Sequence, residues 1–261
     1  MRFGSNSIVF GYSSAQKAQA CRLCLEGKLS KEHVPPAAAG NQGSREWTQY
    51  FAKDGRARST RRPTQNGFWV KTICQNCNNQ VLSGLAKDYA EFVNELRAKA
   101  PIYDQAGNFI VMPPRDHRRF IRAVLGMILA IEPLDQFGTH NEDLRRYVAG
   151  FLPKLRLPFQ VLAFYTRHSP LSGTIQPLHG RCHRIGPRLD LFAGEISLPP
   201  FGFVYGFDFG EYDVAELMPI GHWSYYDEGP PFIRLPSRVT VIDSINRVND
   251  SVRFGPESGR I

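Results

Sequence analysis

The chain has 261 residues, enough to bury a core as one large domain or as two modest ones, and its 42% hydrophobic and 21% charged residues are those of a globular protein. Residues 1–20 lack the apolar block of a secretory signal, and the longest apolar run, 121–131, is broken by Arg122 and too short to span a bilayer, so neither export nor a membrane is expected. The net charge of +8 lies in one half: residues 1–100 hold 15 Lys and Arg against 7 Asp and Glu, whereas 101–261 hold 17 of each.

In chain order, Phe3–Tyr12 reads as a short strand leading to a first cysteine knuckle, Cys21-Arg-Leu-Cys24. Leu29-Ser-Lys-Glu-His-Val-Pro-Pro36 follows. Ser44 caps an expected short helix running to about Lys53, with acidic Glu46 in its first turn. Residues 54–67, polar and punctuated by Gly55, Pro63 and Gly67, are expected to form an exposed loop. Phe68–Ile73 reads as a strand entering a second knuckle, Cys74-Gln-Asn-Cys77. From Asn78 to Lys99 the spacing of Val81, Leu82, Leu85, Tyr89, Phe92, Val93 and Leu96 predicts a helix with one apolar face, ended by Pro101.

Beyond residue 100 the texture changes. Helices are predicted over Arg115–Ile131 and Asn141–Leu152, the second capped by Asn141. Short β-like runs then occupy Phe159–Thr166, Leu189–Leu198, Phe203–Phe209, Val214–Ile220 and Val239–Val248, with Pro and Gly between them. They suggest an antiparallel sheet or a small barrel, with Phe201, Phe203, Tyr205, Phe207 and Phe209 as a core face. The expected organisation is α+β, with residues 1–100 as one domain and 101–261 as a helical, then β-rich, accessory domain.

Two Cys-x-x-Cys pairs suit one tetrahedral ion, because each pair closes a knuckle that turns both sulfurs toward the same point. Cys21, Cys24, Cys74 and Cys77 are therefore the expected ligands of a structural zinc. Four of the five cysteines in metal spacing fit a reducing compartment, and the cytoplasm is the expected location. Between the knuckles, Arg45, Lys53, Arg56, Arg58, Arg61, Arg62 and Lys71 face only Glu46 and Asp54. A basic segment beside a metal site suits nucleic acid, whose affinity comes largely from phosphate neutralisation; a solvated loop is the plainer reading.

The order Cys-x-x-Cys, Ser-x-Glu-His-x-x-Pro, Cys-x-x-Cys-Asn-Asn resembles the HNH endonucleases, the ββα-metal or His-Me finger group, in the four-cysteine branch. The resemblance covers roughly residues 18–98. It implies a ββα-metal nuclease module, a structural zinc and a separate catalytic divalent ion, magnesium or manganese. By that resemblance His33 is the general base, a task that suits imidazole because it exchanges a proton near neutral pH. His33 is also the only histidine among the first 100 residues. Glu32 matches the acidic metal ligand and Asn78 the second, from the helix start, with Asn79 as its alternative. Many members carry Asp at the first position and His at the second. The middle asparagine that orients the histidine loop has two candidates, Asn41 and Asn66.

The implied reaction is hydrolysis of DNA, double-stranded first of all, leaving 5′-phosphate and 3′-hydroxyl ends, and a role in defence against foreign DNA follows from the resemblance alone. A homodimer or a protein partner would use residues 101–261. The competing class is a zinc-stapled nucleic-acid-binding or adaptor protein that does not cut; Glu-His-x-x-Pro argues against it, since a pure staple has no use for that motif. His179, Cys182 and His183, with His168 nearby, read as ordinary side chains rather than a second metal cluster, and Asp208-Phe209-Gly210 lacks every other kinase element. Arg115, Arg118, Arg119 and Arg122 read as a solvated helix face.

Overall fold

A computed structural model of the protein describes residues 20–53, 56–99, 102–103, 105, 107–134, 136–166, 172–182, 191–207, 217–224 and 232–238. The expected strands Phe3–Tyr12 and Val239–Val248 lie outside them, as do residues 214–216, Phe209, His168, His183 and the 208–210 triplet.

The architecture is mixed α+β. Four strands come first: β1 (Leu29–His33), β2 (Arg45–Lys53), β3 (Arg56–Thr64) and β4 (Trp69–Cys74). A helical run follows, opening with one turn, α1 (Gln75–Cys77), widening into a π-turn over Asn78–Leu82 and continuing as α2 (Ser83–Ala98). After β5 (Phe109–Val111) come α3 (His117–Ile131) and α4 (Asn141–Ala149), and then β6 (Gln160–Thr166), β7 (Ser172–Cys182), β8 (Leu191–Leu198) and β9 (Phe201–Phe207). The short strands β10 (Met218–Pro219), β11 (Ile233–Leu235) and β12 (Ser237–Arg238) complete the described elements.

β1 and β4 form an antiparallel pair that runs straight into the helix, with Leu29 opposite Cys74 and His33 opposite Trp69. Between Ser30↔Ile73 and Glu32↔Val70, β1 advances two residues while β4 advances three, so β4 bulges at Lys71 and Thr72. The bulge leaves Thr72 and Ile73 both buried. It also frees Thr72 for two outside bonds: its carbonyl accepts from Arg22 N at 2.8 Å, and its hydroxyl donates to Ala130 O at 2.6 Å.

The segment between the knuckles corrects two expectations. Residues 45–53 are not a helix, and 56–64 of the expected 54–67 loop are a strand: β2 and β3 form a long hairpin in unbroken antiparallel register from Arg45↔Thr64 to Lys53↔Arg56. Trp47, Thr48, Tyr50 and Phe51 favour strand, and a lone N-cap cue at Ser44 does not outweigh them once a partner edge is present. That edge is β7, which pairs parallel with β2 through Glu46↔Ser172 to Thr48↔Thr174. Trp47 lies where a side chain on Gly173 would stand: a Cβ there would come 2.5 Å from the indole. The hairpin thus ends an eight-stranded sheet in the order β10-β6-β9-β8-β7-β2-β3, with β12 alongside β6. β7 was not expected from the sequence. The strands expected near 159–166, 189–198 and 203–209 appear within a few residues, as do all three long helices.

The two halves of the sequence share one hydrophobic core. Tyr89 and Phe92 of α2 meet Phe120 of α3 at 5.5 and 4.9 Å between ring centroids, and Phe201 of β9 closes the cluster at 5.5 Å from Phe92 and 5.6 Å from Phe120. The buried Tyr205 hydroxyl donates to Glu132 at the end of α3. Arg97 of α2 donates to Ala39 O at 3.0 Å and Pro199 O at 3.1 Å, joining the strand–helix unit to the β8–β9 turn. Truncating Phe201 opens a cavity where three elements meet. We expect Phe201→Ala to cost about 3–5 kcal/mol. Urea unfolding followed by far-UV circular dichroism and by tryptophan emission should still give one shared midpoint, because the core is continuous.

Candidate metal centre and the strand–helix site beside it

The four sulfurs of Cys21, Cys24, Cys74 and Cys77 lie within 4.8 Å of one another. Cys24 Sγ and Cys74 Sγ are 3.6 Å apart, close to the edge of about 3.8 Å of a tetrahedron with metal–sulfur bonds of about 2.3 Å. Backbone amides already point at the sulfurs, with Cys74 N donating to Cys21 Sγ at 3.2 Å and Leu23 N at 3.4 Å. Tight turns make this possible: Leu25 and Gly27 both have positive φ, and a Cβ on Gly27 would stand 2.9 Å from the Cys74 side chain. Burial pushes the Cys77 thiol well up, and burial likewise raises Cys24. For Cys74 burial is outweighed by the Cys77 amide and the neighbouring sulfurs, and its thiol falls. Thiols crowded in this way exchange their protons for a soft cation, and the donor set fits structural zinc.

The same staple fixes the site next to it. Asn78, in the first turn after Cys77, donates its amide to Lys31 O at 2.9 Å and to Ser30 Oγ at 3.3 Å. Asn79 is exposed, and its carbonyl accepts from Ser83. Of the two neighbours, Asn78 is therefore the one that faces β1. Glu32 directly follows Lys31, the residue whose carbonyl Asn78 holds. Glu32 is partly buried, and burial pushes its carboxyl up to about 7. Among the described residues no hydrogen bond or ion pair reaches that carboxyl, and none reaches Asn78 Oδ1.

His33 ends β1 with its Nε2 at 3.1 Å from Asn66 O. A carbonyl only accepts, so Nε2 carries the proton and the Nδ1 of the neutral ring holds the free lone pair. Lys31, two residues earlier, lies over the Trp69 ring at 4.4 Å from its centroid. Asn41 is fully buried: its amide donates to Pro35 O at 2.6 Å and Phe68 O at 2.7 Å, while its Oδ1 accepts from Phe68 N at 2.7 Å. It ties the turn after His33 to the entry of β4. Gly67 packs on it so closely that a Cβ would come 2.4 Å from Asn41 O. Of the two asparagines, Asn41 bonds through its side chain, whereas Asn66 meets the His33 ring only through its backbone carbonyl.

The basic residues are spread over three strands. Arg45 is half-buried, and burial, then the nearby Arg97 charge, lower its affinity for its proton. Arg61 is exposed, with Glu46 at 3.6 Å, and Lys71 is exposed on the β4 bulge. The side chains of Lys53, Arg56, Arg58 and Arg62 lie outside the described ones; their backbones form β2 and the outer strand β3. Of the helix arginines, Arg119 pairs with Asp88 at 2.6 Å and Arg122 donates to Val148 O at 2.9 Å, so both hold helices together. No described helix is long and apolar enough to cross a membrane.

Comparison with protein-family profiles, with curated proteins and with solved structures returns no match for this chain.

The protein should carry about one zinc per chain by elemental analysis. Cys74→Ser should lose most of it and lower the unfolding midpoint by on the order of 10 °C. Asn41→Ala leaves three backbone groups without their partner and should cost about 2–3 kcal/mol in urea unfolding with zinc content retained; an unchanged midpoint would show that the clamp is dispensable.

Proposed function

We propose that the chain is a metal-dependent endonuclease of the HNH, or ββα-metal, type that hydrolyses DNA phosphodiester bonds. One observation carries this reading: the helix start is fastened by Asn78 to the backbone of β1, one residue before Glu32 and two before His33. A zinc staple alone requires no such arrangement. Glu32 supports it further, as a partly buried carboxyl that desolvation raises to about 7 and that has no described hydrogen-bond or ion-pair partner.

In this reading His33 Nδ1 takes a proton from water, and the water oxygen attacks phosphorus as the bond to the 3′ oxygen breaks. The leaving oxygen takes a proton from solvent to become a 3′-hydroxyl, and the other strand end keeps the 5′-phosphate. Asn66 O holds the ring tautomer that makes Nδ1 basic, and Asn41 keeps the histidine turn against β4. Glu32 and the Oδ1 of Asn78 would hold magnesium or manganese, whose chemistry is Lewis-acid stabilisation of charge on the leaving oxygen. Arg45, Arg61 and Lys71 would neutralise phosphates along the bound strand.

Supercoiled plasmid incubated with magnesium or manganese should be nicked or linearised. His33→Ala, at matched zinc content, should slow cleavage by about 100-fold or more. Asn78→Ala should raise the magnesium concentration needed for half-maximal rate by about tenfold. Equal cutting by wild type and His33→Ala would sink the assignment. If neither cuts but both bind DNA with a steep salt dependence, the chain is the zinc-stapled binder that its four cysteines alone would allow.

A further inference from the structure

The chain has three tryptophans, and they divide sharply: Trp47 and Trp223 are 3% and 0% exposed, whereas Trp69 is 38% exposed. Trp69 is no frayed loop residue. It opens β4 beside buried Val70 and stands directly opposite His33 in the β1–β4 register. Cross-strand partners share a face, and so do residues two apart along a strand, so Lys31, His33 and Trp69 form one row. Lys31 is held 4.4 Å over the indole. An aromatic face, an ammonium and the proposed base thus line one surface at the strand end.

Resting on the nuclease reading, we propose that Trp69 and Lys31 form a nucleobase subsite beside His33. The indole stacks on a base next to the cleaved phosphate, and the Lys31 ammonium moves from the ring to the flanking phosphate. Base–aromatic stacking tolerates any sequence because every base offers a π-face, so this subsite selects structure rather than letters. In an intact duplex both faces of each base are already stacked. The favoured ligand is therefore DNA with an unpaired base at the cleavage position: a single strand, a flap or a mismatch. This narrows the double-stranded substrate expected from the resemblance.

The burial of the other two tryptophans makes the test direct. The His33→Ala chain, which keeps its ligand intact, is titrated with oligothymidylate and, separately, with a fully paired duplex of the same length while tryptophan emission is followed. Oligothymidylate should quench the emission, the duplex far less, and the quenching should vanish in His33→Ala/Trp69→Phe, which keeps a ring but removes the reporter. His33→Ala/Trp69→Leu should bind oligothymidylate about tenfold more weakly, with duplex affinity nearly unchanged. Zinc content and circular dichroism establish that each variant is folded. Emission that stays constant at saturating oligothymidylate, quenching that survives Trp69→Phe, or equal quenching by the duplex would each overturn the subsite. Quenching by Trp69 in a protein whose wild type cuts no DNA leaves the subsite standing and removes the hydrolytic reading; cutting with Trp69 silent does the reverse.

Discussion

Four cysteine sulfurs within 4.8 Å of one another are the constraint on which the rest of this structure turns. The two knuckles are separated by 49 residues, so the chain between them must leave the site and return to it with its ends in contact. A cation that binds all four sulfurs removes the repulsion among them and closes that long loop at once. The closure sets the β1–β4 register from Leu29↔Cys74 onward, and with it the position of every residue up to His33. It also starts the helix at a defined point, so Asn78 meets β1. What zinc would supply here is alignment of a strand end with a helix start.

Within that frame the polar groups follow a division of labour. Asn41 is spent entirely on the backbone, with every bond going to Pro35 or Phe68. Asn78 uses its amide for the backbone and keeps its oxygen. Glu32 is left with no described partner. Glu32 and Asn78 are both only partly buried.

The cysteine cluster was legible in the sequence because Cys-x-x-Cys spacing is a local geometric rule, and the four predicted cysteines do converge. The strand into the second knuckle and the helix after it were legible from hydrophobic period. The β2–β3 hairpin was not. Its residues carry a helix cap at Ser44 and loop-like composition at 54–67, and what makes them strands is the edge of β7, more than a hundred residues away. Asn41 could be named but not weighed, since its value lies in which carbonyls it reaches. That Asn78 and not Asn79 meets β1 likewise needed the π-turn and the position of β1, which helix periodicity alone does not contain.

The parallel pairing of β2 with β7 has a consequence for the order of events during folding. A β2–β3 hairpin forms from neighbours in sequence, whereas Glu46 finds Ser172 only after a very long stretch of chain has been gathered in, at a loop-closure cost that delays such contacts. Until then both edges of the hairpin are open, and an open edge is a template for another copy of the same strand. Arg56, Arg58, Arg61, Arg62 and Pro63 sit on the strand whose outer edge stays unpaired even afterwards among the described residues. Like charges and a missing amide donor deter self-pairing. The positive charge proposed to meet a phosphate backbone would therefore also keep the nascent hairpin apart from its own kind.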